Sequence, residues 1–321
     1  MPRPILIDTD TASDDAVALI MALRARDVEV LAITTVAGNV NVAQATRNAL
    51  YTAELCQSNV PVYQGAAKPL DRPLEDATWF HGEDGLGDHG YPAPDKRAEP
   101  GDAVDVIIDL VERHPGLELV TLGPLTNMAA ALTRRPQIAA KVGRCVIMGG
   151  APCTVGNVTP AAEYNFWVDP EAARIVLRSG LVVDLIGWQL CRGEAVLNQA
   201  DIARVLALDS ALARFAIDCN SHARQAYYEQ TGEDGISLPD PVAMSIALDP
   251  SIGTSWSRHY VDVETTGELT RGMSVVDQLN VAGNRRNRGI WRHFLDCEPR
   301  TRVCWALDVA RWKRVLEEAL R

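Results

Sequence analysis

The sequence predicts an α/β protein: an open, mostly parallel, Rossmann-like sheet with helices on both faces and a helical C-terminal elaboration. Three observations carry this expectation. Over about the first 190 residues, short β-branched runs alternate with longer helical patterns, as in successive βαβ units. Each run is bounded by Gly, Pro or Asp, as strands of a sheet covered on both faces should be. From Asn198 to Leu248 the pattern turns mostly helical.

In order along the chain, residues 5–8 read as a strand and 14–25 as a helix, followed by a strand at 30–36 and a helix at 42–56. Residues 69–101 are rich in Gly, Pro, Asp and His and lack periodicity, so they read as a long irregular loop of the kind that often carries function. The alternation resumes with a helix at 103–113, a strand at 117–122, a helix at 125–133 and a strand at 144–148. A helix at 170–178 and a strand at 182–186 complete it. Beyond the helical stretch, short strands precede a strand at 302–307 and a final amphipathic helix at 308–320. No repeat or linker is evident, and one domain over 1–321 is the simplest reading.

Composition narrows the function. Arg and Lys number 31 against 42 Asp and Glu, a net charge of −11 with a pI near 5.1. Such a surface repels polyanions, so a nucleic acid polymer is not an expected partner. A small neutral ligand or a divalent cation fits. The seven cysteines (56, 145, 153, 191, 219, 297 and 304) have no metal-site spacing, and most read as core thiols of a reducing compartment. The opening residues lack a signal-peptide pattern, and no apolar stretch reaches the roughly 18 to 20 residues that span a bilayer. A cytoplasmic protein without membrane contact is expected.

Four aspartates, Asp8, Asp10, Asp14 and Asp15, fall within eight positions at the end of the first strand. Ligands of open α/β sheets bind outside the carboxyl ends of strands. One or two such acids could simply cap the next helix. Four packed together repel and call for a cation. Oxygen donors suit calcium, which takes about six to eight of them, with magnesium also open from the motif alone.

Three other segments carry polar residues at predicted strand or helix ends. The Gly-Pro turn in Thr121–Asn127 leaves the Leu122 carbonyl off the sheet edge, while Thr126 or Asn127 could cap the following helix. Gly156 to Asn165 holds Asn157, Glu163 and Asn165, amides and a carboxylate that suit sugar hydroxyls or turn chemistry. Asp240, followed by Pro241, is either an N-cap or a ligand.

These segments together resemble the inosine–uridine-type nucleoside hydrolase family. The resemblance spans at least residues 5 to about 248. It rests on Asp8-Thr-Asp10 with Asp14-Asp15-Ala, Val36-Ala-Gly-Asn39, His81-Gly with Gly85-Leu-Gly, Gly123-Pro-Leu-Thr-Asn127, the run from Gly156 to Asn165, and Asp240-Pro. It implies a single nucleoside hydrolase domain and a homo-oligomer, dimer or tetramer. It implies a calcium ion on Asp10, Asp15, the Leu122 carbonyl and Asp240, with Asp10 as general base on a water that the ion positions. Asn39 would stand beside Asp10. Asp14, Asn157, Glu163 and Asn165 would hold the ribose hydroxyls, Met148 would lie near the sugar, and His81 would sit by the base. Such a site would cleave a ribosyl C–N bond through an oxocarbenium-like state that surrounding carboxylates stabilise.

The match departs from the family at two places. Pro239 stands where the better-known branch has a histidine that helps protonate the base, and Thr11-Ala-Ser13 replaces the usual Pro-Gly-hydrophobic run. Trp188, Trp79 or His81 are candidates to replace the missing histidine, and Tyr227 or Tyr228 to cover the base. A non-catalytic calcium and riboside binder is one alternative. Phosphoryl transfer at Asp8 and Asp10 is another, disfavoured because no Lys or Arg lies near the acidic strand ends. Arg285, Arg286, Arg288 and Trp291 read as a solvated or interface surface.

Overall fold

Apolar alternation along the first strand assigns its side chains to opposite faces of the sheet, and each face finds its own core. In the computed structural model, which describes residues 2–287, 289, 291–294 and 298–321, Ile5 and Ile7 enter one buried cluster and Leu6 the other. Chain order runs β1 (Arg3–Thr9), α1 (Ser13–Arg24), β2 (Val28–Thr35), α2 (Val42–Leu55), β3 (Val62–Gln64), α3 (Thr78–His81), α4 (Ala103–Arg113), β4 (Glu118–Thr121) and α5 (Thr126–Arg134). It continues through β5 (Arg144–Met148), α6 (Tyr164–Val168), α7 (Pro170–Arg178), β6 (Val183–Ile186), α8 (Gln199–Leu206), α9 (Ala211–Asp218), α10 (Ser221–Thr231) and α11 (Pro239–Leu248). The last elements are β7 (Gly253–His259), β8 (Val261–Val263), β9 (Ser274–Val276), β10 (Thr301–Leu307) and α12 (Val309–Ala319).

Eight strands form one sheet in the order β3-β2-β1-β4-β5-β6-β10-β7. All neighbours pair in parallel except β10 with β7. β8 and β9 make a separate antiparallel pair. The same alternation recurs in β4, β5 and β6: Val120, Val146 and Ile186 join the first cluster, and Leu119, Ile147 and Leu185 the second. Both faces are therefore covered, as a parallel sheet requires.

The fold class and most predicted elements hold. β3, only three residues long, gives too short a run to register as a strand, and α3 lies inside the segment expected to be irregular. Four of the cysteines (145, 191, 219 and 304) are buried as expected, whereas Cys153 is exposed; Cys297 and Arg288 lie outside the described residues. Arg286 is exposed. Among the described residues, no helix is long and apolar enough to cross a membrane.

The chain runs from β1 outward to β3 on one side, then returns to β4 and proceeds to β6 on the other. This reversal leaves a crevice beyond the carboxyl ends of β1 and β4, the place where open α/β sheets receive ligands. Residues 8–10 and 121–123 meet there.

Candidate active site

The acidic strand end divides into a structural residue and a cluster. Asp8 pairs in register with Thr34 on β2 and Thr121 on β4. Its Oδ1 accepts from Thr34 Oγ1 at 2.6 Å and Asn127 Nδ2 at 2.8 Å. Asn127 also donates to the Thr35 carbonyl and accepts from Ala66 N–H, so it ties β1, β2 and a loop together. It does not cap α5. Thr126 does not either, since its hydroxyl donates to Asp169, the N-cap of α7.

Asp10 follows β1 in a tight backbone cradle. Its Oδ2 accepts from Asn39 N–H at 2.6 Å, and its Oδ1 is buried without a partner. Gly38 and Gly123 close around the carboxylate so nearly that a Cβ at either would collide with it. Asp15 sits in the first turn of α1, accepting from Thr9 Oγ1 at 2.5 Å and Ala12 N–H at 2.9 Å. Asn39 Nδ2 donates at 3.4 Å to Oδ2, the oxygen that also accepts from Ala12 N–H.

α11 brings the fourth acid. Proline at the first helical position makes Leu238 the N-cap and puts Asp240 in the first turn, so Asp240 is not the cap that its sequence setting allowed. Ligand oxygens of Asp14, Asp15 and Asp240 all lie within 4.8 Å of one another, and all three residues are buried.

Burial dominates the electrostatics. It raises the carboxyls of Asp14 and Asp15 to about 6, with Asp14 adding to the shift of Asp15. Asp10 and Asp240 are also raised, first by burial and then by the neighbouring carboxylates. Asp14 Oδ1, like Asp10 Oδ1, is buried and unpaired. Four mutually repelling acids, two of them with an orphaned oxygen, fit a hard cation. The buried Asp cluster could hold a metal ion.

Above the cluster lies a cleft. Asp14, Asn39, Leu122, Met148, Asn157, Glu163, Asn165, His81, Trp188 and Asp240 all line it, so most of the predicted site converges. Asp10 and Asp15, wholly buried, lie beneath. Glu163 caps α6: its carboxylate accepts from the N–H groups of Gly150 at 2.6 Å and Asn165 at 2.8 Å, and burial raises it to about 7. Asn165 Nδ2 donates to the Leu122 carbonyl at 2.7 Å, which retains a second lone pair. Asn157 Oδ1 accepts from Tyr164 N–H. His81 is 7 % exposed; its Nδ1 lies 2.8 Å from Ser13 Oγ, and burial lowers it to about 4. Trp188 is buried and Trp79 half out of the cleft at 57 % exposure.

Tyr228 is a correction. It is exposed and faces a separate surface depression with Ser221 and Arg224. Tyr227 packs in the core with its hydroxyl on Glu233. The α10 residues that line the cleft are Ala223 and Gln230, with Asn220 at its head, none of them expected. Their spacing is helical, and Tyr228 falls about 100° from the buried Tyr227. No Lys or Arg is among the described lining residues, which removes the cradle that phosphoryl transfer needs.

Comparison with known proteins agrees with this geometry. The sequence model of the inosine-uridine preferring nucleoside hydrolases matches residues 5–314. The chain is 40% identical over 290 residues to the pyrimidine-specific ribonucleoside hydrolase RihA of Salmonella paratyphi A, covering 89% of this chain and 92% of that protein. Among solved structures, a plant nucleoside hydrolase superposes with a TM-score of 0.90 at 32% identity, covering 100% of this chain and 99% of the other. The purine-preferring ribonucleoside hydrolase of Gardnerella vaginalis gives 0.89 at 30% identity, covering 99% and 98%.

Proposed function

Since the chain belongs to the inosine-uridine preferring nucleoside hydrolase family and is a nucleoside N-ribohydrolase, we propose that it is calcium-dependent and that Asp10 activates the attacking water. The buried, cation-hungry carboxylate cluster at the sheet's switch point carries this reading. Asp10, Asp15, the Leu122 carbonyl and Asp240 would hold the ion. When bound, it would supply Lewis-acid polarisation of water and of the ribose diol.

The chain's own residues do the rest. Asn39 N–H orients Asp10 and leaves Oδ1 free to take a proton. Asp14, Asn157, Glu163 and Asn165 hold ribose hydroxyls, and Met148 packs against the sugar. Positive charge developing on the ribosyl ring meets a wall of carboxylates. His81 and Trp188 attend the leaving base. His81 is kept neutral by burial, so its service is hydrogen bonding rather than release of a full positive charge. The whole chain acts as one hydrolase domain, in the cytoplasm and as a homo-oligomer.

RihA is named for pyrimidine ribonucleosides and the Gardnerella enzyme for purine ones, so the test spans both. Inosine, adenosine, uridine, cytidine and p-nitrophenyl riboside are incubated with and without chelator, and free ribose is measured. Chelator-sensitive release restored by calcium supports the reading. Release untouched by chelator, or restored by magnesium but not calcium, overturns the choice of ion.

A further inference from the structure

Asn220 occupies the N-cap position of α10 but makes no cap hydrogen bond. An asparagine there ordinarily turns its side-chain oxygen onto the first free N–H groups of the helix. Here the amide points the other way. Its Nδ2 donates to the carbonyls of Ala216 at 3.0 Å and Ser13 at 3.3 Å, so the orientation of the amide is fixed by two acceptors. Oδ1 is left as a wholly buried acceptor with no partner, on a residue that lines the cleft. Buried acceptors are rarely left unpaired without a reason, because the desolvation is uncompensated.

The surroundings indicate what the missing donor is. Ser13, which Asn220 holds through its carbonyl, is the residue whose hydroxyl meets His81 Nδ1. The cleft wall on α10 continues as Ala223 and Gln230, with no acid among the α10 lining residues. Ribose hydroxyls have Asp14, Glu163 and the amides of residues 157 and 165 for partners. A nucleobase, by contrast, presents ring or exocyclic N–H groups and needs an acceptor.

We propose that Asn220 is a specificity-determining residue that accepts a hydrogen bond from an N–H of the leaving base. This rests on the hydrolase reading above. It selects bases that present an N–H at that edge and disfavours those whose N–H is replaced by N–CH3, since a site built to pair a donor rejects an analogue lacking it.

The test compares kcat/KM of wild type and Asn220→Ala on matched ribosides: uridine and 3-methyluridine, inosine and 1-methylinosine, cytidine and N4,N4-dimethylcytidine, adenosine and N6,N6-dimethyladenosine. p-Nitrophenyl riboside, which has no N–H, is run beside them. For at least one pair the wild type prefers the N–H substrate by about tenfold, the worth of one neutral hydrogen bond. Asn220→Ala removes that preference by slowing the N–H member, while the loss spares p-nitrophenyl riboside. Should alanine unfold the α10 start, Asn220→Ser takes its place, since a serine hydroxyl there can still bond the Ala216 carbonyl. Equal treatment of every pair by wild type, a preference that survives substitution, or an equal loss on p-nitrophenyl riboside overturns the proposal. Failure of wild type to cleave even p-nitrophenyl riboside would instead strike the hydrolase reading itself.

Discussion

Removing the cation should make stability depend on pH in a direction that the carboxylate cluster dictates. Asp14 and Asp15 are raised by burial from 3.8 to about 6 in the folded chain. Between those values the folded protein keeps protons that the unfolded chain has released. The contribution of these two carboxyls to stability without metal is therefore full below about pH 3.8 and is lost as pH rises through about 6. For one carboxyl the loss is about 3 kcal/mol, at about 1.4 kcal/mol per tenfold change. Asp14 and Asp15 interact, so their losses do not simply double. At roughly 2.1 cal/mol/K of unfolding entropy per residue, that loss lowers the Tm of a chain this long by about 4 to 5 °C.

A bound divalent cation reverses the trend, because it takes the deprotonated carboxylates and binds more tightly as pH rises. Thermal unfolding followed by circular dichroism, with excess calcium or excess EDTA, measures the gap at about pH 5 and about pH 8. The gap should be small at the lower pH and at least about 5 °C at the higher. A gap that is absent at both, or wider at the lower pH, refutes the reasoning.

Other substitutions test individual groups. Asp10→Asn should cut ribose release by at least about 100-fold, yet raise Tm in EDTA by removing one buried charge. Gly38→Ala drives a Cβ into the Asp10 carboxylate and should abolish turnover, with Gly38→Ser no better. Trp188→Ala should slow natural nucleosides while sparing p-nitrophenyl riboside, whereas Tyr228→Ala, outside the cleft, should leave all rates within about twofold. His81 is lowered to about 4, so it is neutral across the range above that value. A pH profile of kcat/KM between about 5 and 8 should have the same inflections in His81→Ala as in wild type, at a reduced rate.

How much of this was readable depends on what physical signal each part leaves in the sequence. Strands buried on both faces leave uninterrupted apolar runs, so β1, β4, β5 and β6 were legible. β7, whose Ser, Arg and His alternate with few large apolar residues, was not. The acids were legible because carboxylates next to an apolar strand contradict burial unless something compensates them. Which acid does what was less so. Asp8 looks like its neighbours in sequence, but its Oδ1 is hydrogen-bonded by Thr34 and Asn127, partners 26 and 119 positions away. The α10 wall needed the phase of a helix, not its composition: the tyrosines drew attention, but spacing at 220, 223, 227 and 230 marks the inward stripe. A helical wheel drawn from Asn220 could have found it.

The departure at position 239 has a structural logic of its own. Proline there needs no N–H partner and fixes the first turn of α11, which delivers the Asp240 carboxylate to the cluster. Carboxylate oxygens of Asp14, Asp15 and Asp240 lie within 4.8 Å of one another, so the starts of α11 and α1 meet at the site itself. The proline lines the cleft beside Asp240 and has no proton to give to a leaving base. Beside the residues assigned to ribose, the polar side chains among the described lining residues include a neutral imidazole, the Ser237 hydroxyl and the amides of Asn220 and Gln230. None is a strong acid at neutral pH. On the proposed reading, in which His81 and Trp188 attend the base, its departure leans on hydrogen bonding and aromatic contact rather than on a dedicated proton donor. This is why the contrast between nucleosides and p-nitrophenyl riboside is the most informative one: it separates the ribose-and-water half of the site from the half this sequence has rebuilt.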